Sequence, residues 1–401
     1  MLLSLSVRRP GLWLASLVSA LGASWVASAQ AQLSFVNVGH ATVTGAGYVN
    51  DVAVEGNIAY LSCEPNGLRI YDVSNPASPV FLSGTNNGGS AEGMVLSGNF
   101  LFLANYDDGL RVYDASNPKK VINIGHTNNG GLAWNLALSG QDLFLANGSD
   151  GLRVYNVADP AHPANIGHAS TGGTALSVAV AGHYAYLANS GSGTGGLRIY
   201  DISDPTAPVS VGYTNNGNAN GVAVYGNYAY VLLNPSGFCI YDVSDPANPS
   251  KVNQLTSSDS FPLFHGIAFS GSFACVTMHD GLYLFDITAL ASPLVAAYVP
   301  YSQTYGPSGV TLANNLIYLA NQRDGLRIFS LAGPQLGIVA TGTNVCLSWP
   351  SNFLNFTVQQ SPALPGSPWL DLTNSAVLVG GTNQVLLGGP GALGLYRLKL
   401  P

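Results

Sequence analysis

Glu92, Asp51 and His265 are the side chains in this sequence best suited to acid–base work or to holding a ligand. All three stand at the entry to a short apolar run that recurs along the chain, centred on Val52, Met94, Leu136, Val178, Val222, Ile267 and Val310. Two residues before those positions the sequence reads Asn50, Glu92, Trp134, Leu176, Asn220, His265 and Ser308, and the residue type changes from copy to copy. Asp51, Asn135 and Ser177 stand beside them. Carboxyl and imidazole groups exchange protons with a substrate or ligate a metal, and an indole offers a stacking surface. The ligand-binding candidates are therefore Asn50, Asp51, Glu92, Trp134, Asn135, Asn220 and His265. Catalysis would rest on Glu92, Asp51 and His265, with Glu92 and Asp51 as the carboxylate pair that glycan cleavage requires. No nucleophile elbow, zinc-helix, phosphate-loop or EF-hand spacing accompanies them, so neither a metal nor a cofactor is expected.

Most other charges recur with the period, and a residue that recurs in nearly every unit serves the architecture. Arg69, Arg111, Arg153, Arg198 and Arg327 share one position. Asp72, Asp114, Asp201, Asp242 and Asp286 share another, just before a Ser/Thr-containing turn whose backbone N–H groups an Asp side chain can cap. Asp108, Asp150, Asp280 and Asp324 precede a turn glycine. The arginine column is expected to be half-buried and paired with carboxylates or carbonyls, where the guanidinium fork fits.

The element that must position all of these is the repeat itself. Gly67-Leu68-Arg69-Ile70-Tyr71-Asp72-Val73-Ser74-Asn75-Pro76 returns with drift at Gly109, Gly151, Gly196, Gly237, Gly281 and Gly325, at intervals of 42, 42, 45, 41, 44 and 44 residues. Each unit holds four β-type runs punctuated by Gly-Asn, Asn-Gly or Asp-Gly and by a proline loop. Four strands in such a period define a β-propeller blade, and the copies of the first strand predict seven blades. No stretch from Gln32 to Leu331 has a helical apolar period long enough for a helix. The seventh unit stops after its third strand, near Leu331. Leu33-Ser34-Phe35-Val36-Asn37-Val38-Gly39-His40 resembles the fourth strand Val121-Ile122-Asn123-Ile124-Gly125-His126. The N-terminal strand is thus predicted to complete the last blade and remove two open sheet edges.

These copies, over residues 33–331, resemble the LVIVD repeat family. The resemblance implies a propeller in a secreted or cell-surface setting and brings no catalytic residues with it.

The predicted organisation is a signal peptide over 1–31, a seven-bladed propeller over 32–332 and a β-sandwich-like module over 333–401, an all-β protein throughout. The signal rests on Arg8-Arg9, the apolar Leu12–Val26 and the small residues Ala27-Ser28-Ala29. No later segment is apolar for long enough to span a membrane. The C-terminal module resembles short modules of secreted bacterial proteins through Leu347-Ser348-Trp349, Ser361 to Trp369 and Tyr396-Arg397-Leu398. Only 8% of residues are charged and the net charge is −7, with no basic patch, so nucleic acid is excluded as a partner. The four cysteines, Cys63, Cys239, Cys275 and Cys346, include no CxxC pair. Cys239 and Cys275 fall in adjacent units, where either a bridge or buried thiols would fit. The chain reads as an exported monomer, secreted, periplasmic or on the cell surface, that binds or scaffolds a protein or carbohydrate. The alternatives are a glycan-acting lyase or hydrolase and a structural envelope protein without a specific ligand.

Overall fold

The computed structural model describes residues 33–43, 47–86, 88–128, 130–234, 237–255, 266–278, 280–301, 306–333, 337–341, 344–350, 357–361, 370–374, 376–379, 382–387 and 395–399. The predicted signal peptide lies outside them, as does His265. The only helical turn among the described residues is the 3-10 turn Gln322–Asp324.

Seven four-stranded sheets follow one another along the chain. Blades 1 to 6 span residues 48–85, 94–127, 135–169, 174–213, 218–255 and 267–300. Blade 7 takes three strands from residues 310–332 and its fourth from β1, Ser34–Ala41, which lies beside the third strand, Gly325–Ala332. The protein is therefore a seven-bladed β-propeller closed by its N-terminal strand.

By compactness the chain divides into two units. One comprises residues 37–293 and 300–329; the other comprises residues 330–401 together with 294–299 and the segment up to Val36. Within the first unit the innermost strands touch in cyclic order, blade 7 returning to blade 1. Apolar side chains fill the spaces between neighbouring blades. Leu61 of blade 1 and Leu326 and Ile328 of blade 7 share one fully buried cluster, and Leu110, Val112 and Leu143 join blades 2 and 3. Blades 5 and 6 are joined by rings instead: Phe238 stacks on Phe285 at 5.6 Å, and Tyr230 meets Phe269 at 4.8 Å. Each fully buried leucine or phenylalanine contributes roughly 1.5–3 kcal/mol.

The recurring charges do architectural work. Asp72, Asp114, Asp201, Asp242 and Asp286 each accept the backbone N–H two residues on, at 2.8–2.9 Å. In blades 2, 3 and 7 the turn aspartate holds the arginine through both carboxylate oxygens: Asp108 with Arg111, Asp150 with Arg153, Asp324 with Arg327. An asparagine at or just past the end of the second strand, Asn105, Asn147 or Asn321, donates to the same carboxylate. A histidine of the outer strand, His126, His168 or His40, lies against the same aspartate. His40 belongs to β1, so the network that sits inside one blade elsewhere ties the chain's N-terminal strand to blade 7. Burial works against ionisation of Asp324, but hydrogen bonds from Arg327 and Asn321 hold its carboxyl below the usual range. Arg69 and Arg198 lack the aspartate and donate to the carbonyls of Asn66 and Thr194. Tyr213 occupies the histidine's place beside Arg198 and takes its guanidinium over the ring at 4.9 Å.

In the second unit, Gly337–Thr341, Asn344–Pro350, Thr382–Leu387 and Val377–Val379 form one small sheet. Leu370–Asp371, Thr357–Ser361 and Leu395–Lys399 form another. Leu347, Trp349 and Val385 are buried. Most of the Ser361–Trp369 segment lies outside the described residues. All four cysteines are free thiols, with Cys63, Cys239 and Cys275 buried.

Asp324→Ala should cost about 1–3 kcal/mol, because it leaves the Arg327 guanidinium and the Asn321 amide without their acceptor and removes the carboxylate 3.3 Å from His40, whose bond to the residue-324 carbonyl stays. A thermal melt checks the loss. Faster hydrogen exchange in β1 than in the outer strand of blade 3 would locate it at the closure.

Candidate functional site

The innermost strands converge so closely that their backbones must be joined blade to blade, and the residues entering them show two ways of doing it. Asp51 accepts the Val52 N–H at 2.8 Å and, from the next blade, the Met94 N–H at 3.0 Å. Asn135 accepts the Val178 N–H, and Ser177 the Val222 N–H, at 3.2 and 3.4 Å. Where the position holds glycine, the glycine N–H donates to the next blade instead: Gly93 to the Trp134 carbonyl at 3.0 Å, Gly266 to Ser308 at 2.9 Å, Gly309 to Asn50 at 2.9 Å. A Cβ on Gly309 would lie 2.7 Å from the Asp51 Cα, and one on Gly266 2.7 Å from the Val310 nitrogen. Only glycine permits that approach.

In three blades the residue immediately before this clasp is displaced from the ladder. In blades 1, 4 and 5 the strand register shifts there, skipping Asn50, Leu176 and Asn220. A β-bulge re-aims the side chain it carries. The result is a depression of about 460 Å³, part of it open solvent, lined by Asn50, Asp51, Glu92, Gly93, Trp134, Asn135, Leu176, Ser177, Asn220, Gly266, Ser308 and Gly309. Of the side chains singled out from sequence, six share this lining; His265 is the seventh and lies outside the described residues.

Glu92 is only 7% exposed. It accepts a hydrogen bond from the Ser90 hydroxyl at 3.1 Å and one from the Asn50 amide at 3.0 Å. Burial pushes its carboxyl up to about 8; the Ser90 bond opposes this, and repulsion from Glu64 and Asp51 adds to it. Burial also pushes Asp51 up to about 6, against the two amides it accepts. Trp134 packs edge-on against Tyr106, centroids 4.7 Å apart. Asn220 and Ser308, 8% and 4% exposed, also line the depression, and neither is among the fully buried polar atoms that lack a partner.

Sequence reasoning found the ring by its departure from the repeat and missed its mechanics. Asp51 and Asn135 are backbone clasps. Ser90, which orients Glu92, was not singled out. The buried asparagines Asn105, Asn147 and Asn321, at or just past the end of the second strand, were also missed, although each stands three residues before a turn aspartate.

A ring of bladed sheets around an innermost-strand depression defines the β-propeller class. The chain belongs to the LVIVD repeat family, whose repeat matches residues 46–86, 88–128, 130–171, 172–215, 216–256 and 265–299. The seventh blade, split between the two ends of the propeller, lies outside these matches. No curated protein matches the chain. A crystal structure of the computationally designed Ika8 protein is similar with a TM-score of 0.53 and 9% identity, over 70% of this chain and 83% of that one. At that identity the likeness is one of fold.

The folded-state value of Glu92 lies above the unfolded one, so the folded protein binds the extra proton. Stability from this group is therefore present at low pH and lost as pH rises through about 8. Between about pH 5 and 8 the slope should be roughly 1.4 kcal/mol per pH unit at most. Denaturant melts at pH 6 and 9 should show a drop for the wild type and a smaller one for Glu92→Gln.

Proposed function

We propose that the protein is an exported, non-enzymatic binding module whose ligand, a protein or a glycan at the cell surface, seats in the depression at the mouth of the propeller. The observation that carries this reading is the depression itself, whose lining varies from blade to blade and includes the polar side chains of Asn50, Asn220 and Ser308. Export is supported by the sequence of residues 1–31. No helix among the described residues is long and apolar enough to cross a membrane.

A second reading has one specific observation in its favour. Glu92 and Asp51 line the same depression, and burial raises Glu92, to about 8, further than Asp51, to about 6, the kind of separation an acid and its carboxylate partner need. Against it, both Asp51 oxygens are engaged by backbone amides that fasten blade 1 to blade 2. A group held in that way serves the fold first.

A glycan and peptide array probed with the full chain tests both readings. Asn220→Ala and Trp134→Ala should each weaken any specific binding by about tenfold or more. Neither should shift the melting midpoint as far as Asp324→Ala. Turnover of a bound glycan that disappears in Glu92→Gln would favour the enzyme; binding unaffected by either alanine variant would move the site elsewhere.

A further inference from the structure

We propose that the depression takes a primary ammonium group, carried on the side chain of a lysine in a partner polypeptide. This rests on the binding reading above and names the chemistry of its ligand. The lining contains two carboxyls, Glu92 and Asp51, and no lysine, arginine or histidine among the described residues. A buried carboxylate is ordinarily paired with a cation or held neutral, because leaving it alone in low dielectric is costly. The groups acting on Glu92 deepen the deficit: Asp51 and Glu64 are acidic, and Ser90 and Asn50 are neutral donors. Elsewhere in this protein the half-buried turn carboxylates of blades 2, 3 and 7 have arginines on both oxygens. Glu92 does not.

The remaining lining fits an ammonium. Asn220 and Ser308 supply side-chain oxygens, and an ammonium has three donors and no acceptor. Trp134 adds an indole, whose ring attracts a cation. A guanidinium fits less well. Its planar fork prefers both oxygens of one carboxylate, and each Glu92 oxygen already receives a neutral donor. The depth of Glu92 selects the source of the amine. At 7% exposure it is reached by a charge at the end of a slender chain and not by an amine mounted on a sugar ring.

Binding an ammonium requires the carboxylate form of Glu92, so the complex forms with loss of a proton. Affinity should rise roughly tenfold per pH unit from about 6 towards 8 and level off above. Isothermal titration of the full chain tests this with three probes: a short lysine-containing peptide, the same peptide with its lysine acetylated, and glucosamine. The lysine peptide should bind at least about tenfold more tightly than either of the others. Glu92→Gln, close in shape and lacking the charge, should remove both the preference and the pH slope. Asn220→Ala provides a second variant and should weaken the lysine peptide while keeping the slope. Equal binding of the acetylated peptide, or a slope that survives in Glu92→Gln, overturns the proposal. Glucosamine binding more tightly than the lysine peptide also overturns it. A neutral glycan that binds and is lost with Trp134→Ala, while the lysine peptide does not bind, overturns the ammonium and leaves the binding module standing. Failure of both ligand classes removes both.

Discussion

Seven sheets meeting around one axis bring the innermost strands together more closely than side chains on both partners allow. At that closeness every backbone N–H facing the next blade needs an acceptor, since water has little access between packed strands. The chain meets the demand position by position. A short acceptor, such as Asp51, Asn135 or Ser177, takes the neighbour's amide directly. Alternatively the side chain is deleted, as at Gly93, Gly266 and Gly309, and the backbones bond to each other. These two solutions alternate irregularly around the ring, which is why the position reads as variable although its task is constant.

The candidate site follows from that constraint. Where the strand entering the clasp bulges, the preceding residue is set free of the ladder and turned toward the mouth of the ring. The bulged residues are Asn50, Leu176 and Asn220, while Glu92, Trp134 and Ser308 at the same position keep an N–H bond to the second strand, and the residue type differs from blade to blade. A lining of unlike residues on a rigid support is what selective binding needs, and the support is as rigid as the clasp beneath it. Asp51 belongs to the support although it lies in the lining.

The repeat period, the number of blades and the closure by the N-terminal strand were legible because they depend on pattern. Glycine turns, proline loops and strand alternation are local signals, and His40 repeats the role of His126 and His168 even though it precedes the rest of its blade by more than two hundred residues. The same split explains why the family repeat matches six segments and not seven: a blade assembled from both ends has no contiguous sequence to match. The clasp was not legible, because whether Asp51 accepts the Met94 amide depends on an approach between strands 43 residues apart in sequence. Nor was the raised carboxyl of Glu92, which follows from burial. Asn105, Asn147 and Asn321 read as ordinary strand ends until the carboxylates of Asp108, Asp150 and Asp324 are seen to need a third donor.

The distribution of charge links the periphery to the centre. With 8% of residues charged, the chain places most of its arginines in one column, where aspartates or carbonyls hold them. Those pairs lie toward the outer strands, half-exposed, and their geometry is the same in blades 2, 3 and 7. Toward the axis the pattern reverses: carboxyls are present, cations are not among the described lining residues, and the neighbours are amides and a hydroxyl. A protein that matches its acids to arginines with such regularity elsewhere has, at its centre, an acid that no described lining residue matches with a cation. That acid lies among the residues that the repeat leaves free to vary.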